Sequence, residues 1–306
     1  MVTVDTTVSE SFEKRRHDLR IMPGAPDVSQ LIDSPPPRNG ATADVAPALA
    51  PEPMQPQAAS TPCKKVLIII PCFNEESSIA DVIDGIPKDG LAHTYDIDVL
   101  VIDNNSSDNT AAIAKQMGAR LIHEPLQGKG NAIRTAFRNL GDADYVVMLD
   151  GDNTYRPEEL GRVLEPLNSG FCDVVIGSRL CGRIEDGSMT MLNRVGNWVY
   201  SHLVRYSYHV NVTDVLTGYF AWKREVVEGL LPHLQAEGFA IEMEMITKMA
   251  RLGNDIYSVP ISYHSRDGES TLSPLIDGAR IFKTYVANLR WRPTVPDAPH
   301  DARRDR

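Results

Sequence analysis

Residues 65–76 read KVLIIIPCFNEE. Five consecutive aliphatic residues end at Pro71, and a continuous apolar run of this kind predicts a strand buried on both faces, as in a parallel sheet. A polar group, Asn74-Glu75-Glu76, follows the strand directly. We therefore expect ordered structure to begin near residue 63, with polar side chains at the carboxyl end of its first strand.

The same pattern recurs along the following residues. Predicted strands alternate with predicted helices through short links, which is typical of an α/β fold with a mainly parallel central sheet. Two amphipathic helices are expected later, and each either faces the core or lies on a membrane surface. The strands are predicted at 66–70, 97–103, 119–123, 145–150, 173–178 and 256–263, and the helices at 76–86, 111–117, 129–139, 157–167, 191–208 and 275–291.

The two ends of the chain differ from this pattern in composition. Residues 1–62 contain ten of the 21 prolines and a single aromatic residue, so they cannot bury enough apolar surface to offset chain entropy. We interpret them as a disordered N-terminal tail and residues 293–306 as a flexible C-terminal tail. The domain predicted between them spans residues 63–292.

Charge and composition limit the classes of partner. The formal net charge is -10 and no dense Lys/Arg block occurs, which argues against a nucleic-acid partner. The four cysteines lack metal-site spacing and indicate reduced thiols in the cytoplasm. Because no run of 18 apolar residues occurs, membrane contact is expected to be peripheral, at the cytoplasmic face. Nothing in the sequence indicates an oligomeric state.

The sharpest candidate site is Asp150-Gly151-Asp152, which follows the apolar strand Val146–Leu149. Two carboxylates two residues apart can share one ligand site if the strand ends there, and Gly151 removes side-chain bulk between them. Such oxygen ligands suit Mg²⁺ or Mn²⁺, which also bind diphosphate oxygens. The ion would neutralise the charge that develops on a departing nucleoside diphosphate.

Two other segments are candidates for nucleotide binding. Asp103 ends the second strand, where its carboxylate could accept hydrogen bonds from a pyrimidine N–H or from ribose hydroxyls, or simply form a turn. Gly128-Lys129-Gly130 opens a helix, and free helix N–H groups together with Lys129 would attract phosphate. The segment is not a P-loop, because the required upstream glycine and following hydroxyl residue are absent.

The late part of the chain adds weaker signals. Arg266 lies on a glycine-containing loop that extends to Ser270, where it could hold a phosphate bidentately or be a solvated arginine. Glu242 and Glu244 start a helix, and the helix dipole is a sufficient structural reason for two acidic residues there.

In this order, the segments resemble family 2 glycosyltransferases with the GT-A nucleotide-sugar-binding fold. The nearest resemblance is to the polyprenyl-phosphate glycosyltransferases, which include dolichyl-phosphate mannose and glucose synthases. One departure concerns Thr154, which stands where many relatives carry a metal-binding Gln or Ser. The matching segments are 71–76, 101–108, 128–130, 150–152, 177–179, 214–218 and 266–270.

The resemblance implies roles for individual residues. It places a catalytic group at Asp152, Asp214 and Arg266, and an acceptor-phosphate site at Arg266 and Ser270. It assigns the metal ion, Mg²⁺ or Mn²⁺, to Asp150 and Asp152. The implied nucleotide-sugar site consists of Pro71, Asn74, Glu75, Asp103, Lys129, Asp150 and Arg179.

The predicted function is sugar transfer from a nucleoside-diphosphate sugar, UDP-linked, to a polyprenyl or dolichyl phosphate, and family analogy implies inversion. Three alternatives stay open at this point. The first is a related transferase with a soluble or glycan acceptor. The second is a sugar nucleotidyltransferase, although the segment after the first strand lacks the Gly-rich loop usual for that class. The third is a non-catalytic nucleotide-binding protein.

Overall fold

The computed structural model describes residues 63–266 and 274–293. The predicted N-terminal tail, the C-terminal tail beyond residue 293, and Ser270 lie outside the described residues. The proposed domain limits therefore stay predictions.

One sheet of seven strands forms the centre of the described chain. The strands are β1 (Lys64–Cys72), β2 (Tyr95–Asp103), β3 (Arg120–His123), β4 (Tyr145–Met148), β5 (Val174–Ile184), β6 (Phe220–Lys223) and β7 (Ile256–Tyr263). Their order is β3-β2-β1-β4-β6-β5-β7, and β6 alone within this sheet runs antiparallel to its neighbours. The predicted α/β class with a mainly parallel sheet is confirmed.

Helices cover both faces of the sheet. They are α1 (Ile79–Asp84), α2 (Lys88–Leu91), α3 (Thr110–Gln116), α4 (Lys129–Phe137), α5 (Leu160–Asn168), α6 (Met191–Tyr208), α7 (Arg224–Leu230), α8 (Ile241–Leu252) and α9 (Pro274–Leu289). One core lies between the sheet and α4 with α6–α9, and the other between the sheet and α1, α3 and α5. Strand β1 contributes Leu67 and Ile69 to the first core and Ile68 and Ile70 to the second, as expected for a strand buried on both faces.

Several local predictions need correction. Strand β6 and helix α7 were not predicted, because a four-residue strand is too short to show a period. Strand β5 runs past the predicted end at 178, since it resumes pairing with β7 at Arg183 after an irregularity. At the start of α3, Asp108 Oδ1 accepts from the Thr110 N–H at 3.0 Å, while the residue before the helix is Asn109. None of the described helices has the length and apolar character needed to cross a bilayer.

Candidate active site

Acidic side chains meet at the carboxyl edge of the sheet. Strand β1 pairs in parallel with β2 and β4, so the segments that follow these strands lie side by side. Glu75, Asp150 and Asp152 come from the segments after β1 and β4, and their side chains are 12%, 22% and 8% exposed. Arg266, which follows β7, reaches into the group: its Nη2 lies 2.8 Å from Glu75 Oε1 and 3.2 Å from Asp152 Oδ2. Burial raises the pKa of Glu75 despite the opposing charge of Arg266.

The loops after β1 and β2 are joined by hydrogen bonds. Asn74 has a left-handed backbone (φ 57°), a conformation that Asn tolerates better than most residues. Its Oδ1 accepts from the Ser107 N–H at 2.8 Å, and its own N–H donates to Ser106 Oγ at 3.0 Å. Asp103 Oδ1 accepts from the Ser106 N–H at 3.1 Å, and Asp103 Oδ2 lies 2.9 Å from His123 Nδ1. The Asn74 and Asp103 segments therefore form one structural unit, next to Pro71 near the end of β1.

The turn Asp150-Gly151-Asp152 is held in one shape by close packing. A Cβ at Gly151 would lie 2.6 Å from Cys72 Sγ, so a side chain does not fit there without a shift. Thr154 Oγ1 donates to Asp152 Oδ1 at 2.6 Å. Burial, and then the neighbouring Asp150 charge, raise the pKa of Asp152, although Arg266 opposes them. In this structure Thr154, the residue that departs from the family pattern, orients Asp152.

A second cation lies on the other side of Asp150. Lys129 Nζ is 2.7 Å from Asp150 Oδ1 and 2.8 Å from Glu242 Oε1. Burial alone would lower the pKa of Lys129, but the two carboxylates outweigh it and hold that pKa above its usual value. A Cβ at Gly218 would lie 2.0 Å from Asp150 Oδ2, so the Asp150 carboxylate packs directly against bare backbone. Asp150 is therefore fixed from two sides.

Glu242 belongs to this cluster, and its contact was missed in the sequence. Both Glu242 and Glu244 lie in the first turn of α8, as expected, but both are buried and ion-paired, Glu242 with Lys129 and Glu244 with Lys248 at 2.6 Å. A buried carboxylate needs a cation or hydrogen-bond donors. In the sequence, the signal for their burial is that Glu242 and Glu244 stand among apolar residues, with no polar face around them. In the structure these apolar neighbours are all buried: Ile241, Met243, Met245, Ile246 and Met249.

The prediction of free N–H groups at the start of α4 is wrong for Gly128 and Gly130. Gly128 N–H donates to Asn104 Oδ1 at 2.7 Å, and Gly130 N–H donates to Glu237 O at 2.8 Å. These two groups are thus engaged within the protein. The Lys129 ammonium reaches the acidic cluster, so a role of Lys129 in nucleotide binding stays a prediction.

Asp214 and Arg179 form a buried pair outside this cluster. Asp214 is fully buried and accepts from Arg179 Nε at 2.8 Å, Arg179 Nη2 at 2.9 Å and Asn197 Nδ2 at 2.6 Å. The Arg179 guanidinium also packs over the Tyr263 ring, 5.1 Å from its centroid. The structure therefore brings Arg179 and Asp214 together. Their pairing joins strand β5 to the segment that leads into β6, which suits a positioning role.

The carboxylates of Asp150 and Asp152 fit a divalent ion that a ligand helps to bind. Magnesium is commonly held by one or two protein carboxylates together with substrate phosphate oxygens. Across residues 63–266 and 274–293, no set of three or more His, Cys, Asp or Glu side chains is placed to hold an ion alone.

Residues 67–231, more than half of the chain, match the model described as Glycosyl transferase family 2. The chain belongs to this family. The family predicted from the motifs is thereby confirmed, and the sugar nucleotidyltransferase alternative is set aside.

Several curated proteins resemble this family 2 chain. Glycosyltransferase AglJ of Haloferax volcanii is 39% identical over 219 residues, which cover 71% of this chain and 69% of that protein. A dolichyl-phosphate hexose transferase of the same organism is 34% identical, covering 72% and 91%. An undecaprenyl-phosphate mannosyltransferase of Micrococcus luteus is 31% identical, covering 74% and 93%.

Solved structures support the fold of this family 2 chain. Glucosyl-3-phosphoglycerate synthase from Mycobacterium tuberculosis, in complex with Mn²⁺, UDP-glucose and phosphoglyceric acid, superposes with a TM-score of 0.58. The alignment covers 77% of this chain and 81% of that one at 22% identity, a level that shows the fold alone. The predicted GT-A fold is confirmed.

Proposed function

We propose that this family 2 glycosyltransferase transfers a hexose from a nucleoside-diphosphate sugar, UDP-linked, to a polyprenyl or dolichyl phosphate. The observation that carries the proposal is the cluster of three carboxylates, those of Glu75, Asp150 and Asp152, with the Arg266 guanidinium between Glu75 and Asp152. Such a site offers ligands for a metal-bound diphosphate and a cation for a second phosphate. Relatives named for dolichyl-phosphate and undecaprenyl-phosphate transfer support the acceptor class.

The chemistry is a single displacement at the anomeric carbon. An acceptor phosphate oxygen forms the new C–O bond, the bond to the diphosphate breaks, and the nucleoside diphosphate departs with the electron pair. This displacement inverts the anomeric centre. The second pKa of a phosphate monoester is about 6, so the acceptor is largely dianionic at pH 7. A strong general base is then unnecessary, and rate enhancement comes from positioning and charge stabilisation.

The side chains divide these tasks. Asp150 and Asp152 would hold Mg²⁺ or Mn²⁺, and the bound ion supplies charge stabilisation to the leaving diphosphate. Lys129 and Glu242 keep Asp150 in place. Arg266 donates to Glu75 through Nη2, and a guanidinium has five N–H donors, so the group can also bind the acceptor phosphate.

The remaining assignments are part of the same proposal. Pro71, Asn74 and Asp103 bind the nucleoside part of the donor. Asp214 was predicted as a catalytic residue and Arg179 as a donor-binding residue; because Asp214 is fully buried and paired with Arg179, both are instead assigned to positioning the strands beside the sugar. Ser270 assists Arg266 with the acceptor phosphate. The catalytic domain spans residues 63–292, and the enzyme works peripherally at the cytoplasmic face of a membrane.

A donor and acceptor panel tests this proposal. The full chain is incubated with UDP-, GDP- and dTDP-hexoses, Mn²⁺, and polyprenyl phosphate in detergent, and the lipid product is identified by mass spectrometry and its anomeric configuration by NMR. We expect an inverted hexosyl polyprenyl phosphate from a UDP-hexose. Transfer to soluble sugars or phosphates alone would favour the soluble-acceptor alternative. Donor binding without any transfer would favour the non-catalytic alternative.

A further inference from the structure

Helix α6 differs from an ordinary surface helix, because large apolar side chains are exposed on it and two of its three buried side chains are polar. Its most buried positions include Asn197 and Ser201, which are polar. Asn197 Oδ1 accepts from the Leu216 N–H and Ser201 Oγ from the Val215 N–H, each at 3.1 Å. Besides Arg194, His202 and Arg205, the exposed side of the helix carries six large apolar side chains that are 41% to 84% exposed: Met191, Leu192, Val195, Trp198, Val199 and Tyr206. A surface helix normally turns its apolar stripe to the core.

Helix α9 lies beside α6 and extends this apolar surface. Tyr200 Oη donates to Gly278 O at 2.8 Å, and Ser207 Oγ lies 2.6 Å from Tyr285 Oη, so both contacts advance by seven residues and the helices run parallel. On α9, Ile281 and Tyr285 are buried. Its exposed large apolar side chains are Ile276, Phe282 and Val286.

We define the helix-pair surface as the nine exposed large apolar side chains of α6 and α9. They are nine of the twelve such side chains in the described part of the chain, so exposure of this kind is concentrated here instead of scattered. A concentrated apolar patch marks a site of interaction. The exposed rows lie roughly opposite the buried rows by helical spacing, so both face away from the core.

The exposed charged residues of the two helices are basic, although the chain carries a net charge of -10. Helix α6 contains Arg194 and Arg205 and no acidic residue. Helix α9 contains Arg280 and Lys283, and its acidic residue, Asp277, is buried with its Oδ1 3.2 Å from Arg280 Nη1. An apolar surface bordered by exposed Lys and Arg is complementary to an anionic lipid headgroup layer.

We propose that the helix-pair surface docks on an anionic phospholipid bilayer, with its apolar side chains between the headgroups. This inference deepens the proposed function, because it supplies the surface from which a polyprenyl phosphate is reached. The surface is tied to the site: Asn197 on α6 donates to Asp214, and α9 is the next described helix after Arg266.

Vesicle flotation of the purified full chain tests the docking. The probes are vesicles of phosphatidylcholine alone and of phosphatidylcholine with phosphatidylglycerol. We expect binding to the anionic vesicles. Trp198→Ser and Phe282→Ser should each weaken partitioning by about tenfold or more, because burying one large apolar side chain is worth at least that factor. Arg205→Gln and Lys283→Gln should each weaken it by about fivefold at low salt, and little at high salt.

Phe171→Ser is the matched control, since Phe171 is 61% exposed but lies outside both helices. It should leave partitioning unchanged. Circular dichroism verifies folding, and the milder Trp198→Tyr and Phe282→Leu serve if a serine variant unfolds. Equal vesicle binding by wild type and folded helix-pair variants would overturn the proposal. So would a wild-type dimer, seen by analytical ultracentrifugation, that Trp198→Ser converts to monomer without changing vesicle binding.

The docking and the proposed function fail in distinguishable ways. Polyprenyl phosphate in detergent micelles is accessible without a bilayer, so Trp198→Ser should retain wild-type transfer in detergent and lose it on vesicles. An equal loss in both formats contradicts the docking role. Absence of transfer by wild type in detergent, with vesicle binding intact, contradicts the proposed function alone.

Discussion

The buried ion pair between α4 and α8 can be tested by removing its cation. In Lys129→Met, the carboxylates of Asp150 and Glu242 lose their shared ammonium group. The Lys129, Asp150 and Glu242 side chains are 15%, 22% and 6% exposed, so solvent replaces little of the lost interaction. Removing one partner of a buried pair costs about 3–5 kcal/mol. We expect the lower end, about 3 kcal/mol, because Asp150 is the most exposed of the three.

Thermal and urea unfolding, followed by circular dichroism, measure this loss. For a domain of this size each kcal/mol shifts Tm by about 2–4 °C, so Lys129→Met should unfold about 6–12 °C lower. Adding Glu242→Gln should restore part of the loss, because it removes a buried charge. Lys64→Met, which breaks the exposed pair with Asp144, is the control and should change Tm little.

The same variant has a defined pH dependence. Burial already holds the pKa of Glu242 above its ordinary value, and loss of Lys129 raises it further. A carboxyl group with a raised pKa in the folded state binds more protons there, so stability falls as pH rises from the ordinary Glu value, about 4.3, through the folded pKa. Lys129→Met should therefore lose less stability at pH 5 than at pH 8. An unchanged Tm, or an equal loss at both pH values, would refute the pairing.

Two further predictions concern the site, and a third concerns the N-terminal tail. Arg266→Ala should lower kcat/KM for polyprenyl phosphate about 10- to 150-fold with little change in donor affinity. Arg266→Lys should recover part of the lost kcat/KM. Unchanged acceptor kinetics in Arg266→Ala would rule out a role of Arg266 in binding the acceptor phosphate. Gly218→Ala places a Cβ 2.0 Å from Asp150 Oδ2 and should impair donor binding in calorimetric titrations, whereas Gly229→Ala, with open space around it, should not. Deleting residues 1–62 should leave transfer in detergent nearly unchanged; a folded but inactive truncation would show that the predicted domain boundary is misplaced.

Much of the fold follows from local patterns in the sequence. The apolar run after Lys65 predicts β1, and a parallel arrangement then brings Glu75 and Asp150 to one edge of the sheet, as observed. The limits of α6 are predicted from its spacing and match Met191–Tyr208. The orientation of α6 is not predicted, because helical spacing shows where an apolar row lies on the helix but not whether that row faces the core or solvent.

The parts of the site that the sequence does not predict depend on contacts between distant segments of the chain. Lys129 lies on α4 and Glu242 on α8, and no local pattern indicates that they meet across Asp150. The N–H groups of Gly128 and Gly130 at the start of α4 likewise donate to Asn104 and Glu237, which come from elsewhere in the chain. Such pairings follow from tertiary packing, so the residue types were predictable and their partners were not.

We propose that Asp152 supports metal-assisted sugar transfer at this cluster. The measurement is the rate of labelled hexose transfer from its UDP donor to polyprenyl phosphate in detergent, across a Mn²⁺ titration, for wild type and Asp152→Asn. Wild type should lose activity in excess EDTA and regain it with Mn²⁺. Asp152→Asn should lose about 100-fold or more in kcat/KM while unfolding as cooperatively as wild type. Undiminished wild-type turnover in EDTA, or full activity of Asp152→Asn, would rule out metal-assisted transfer through Asp152.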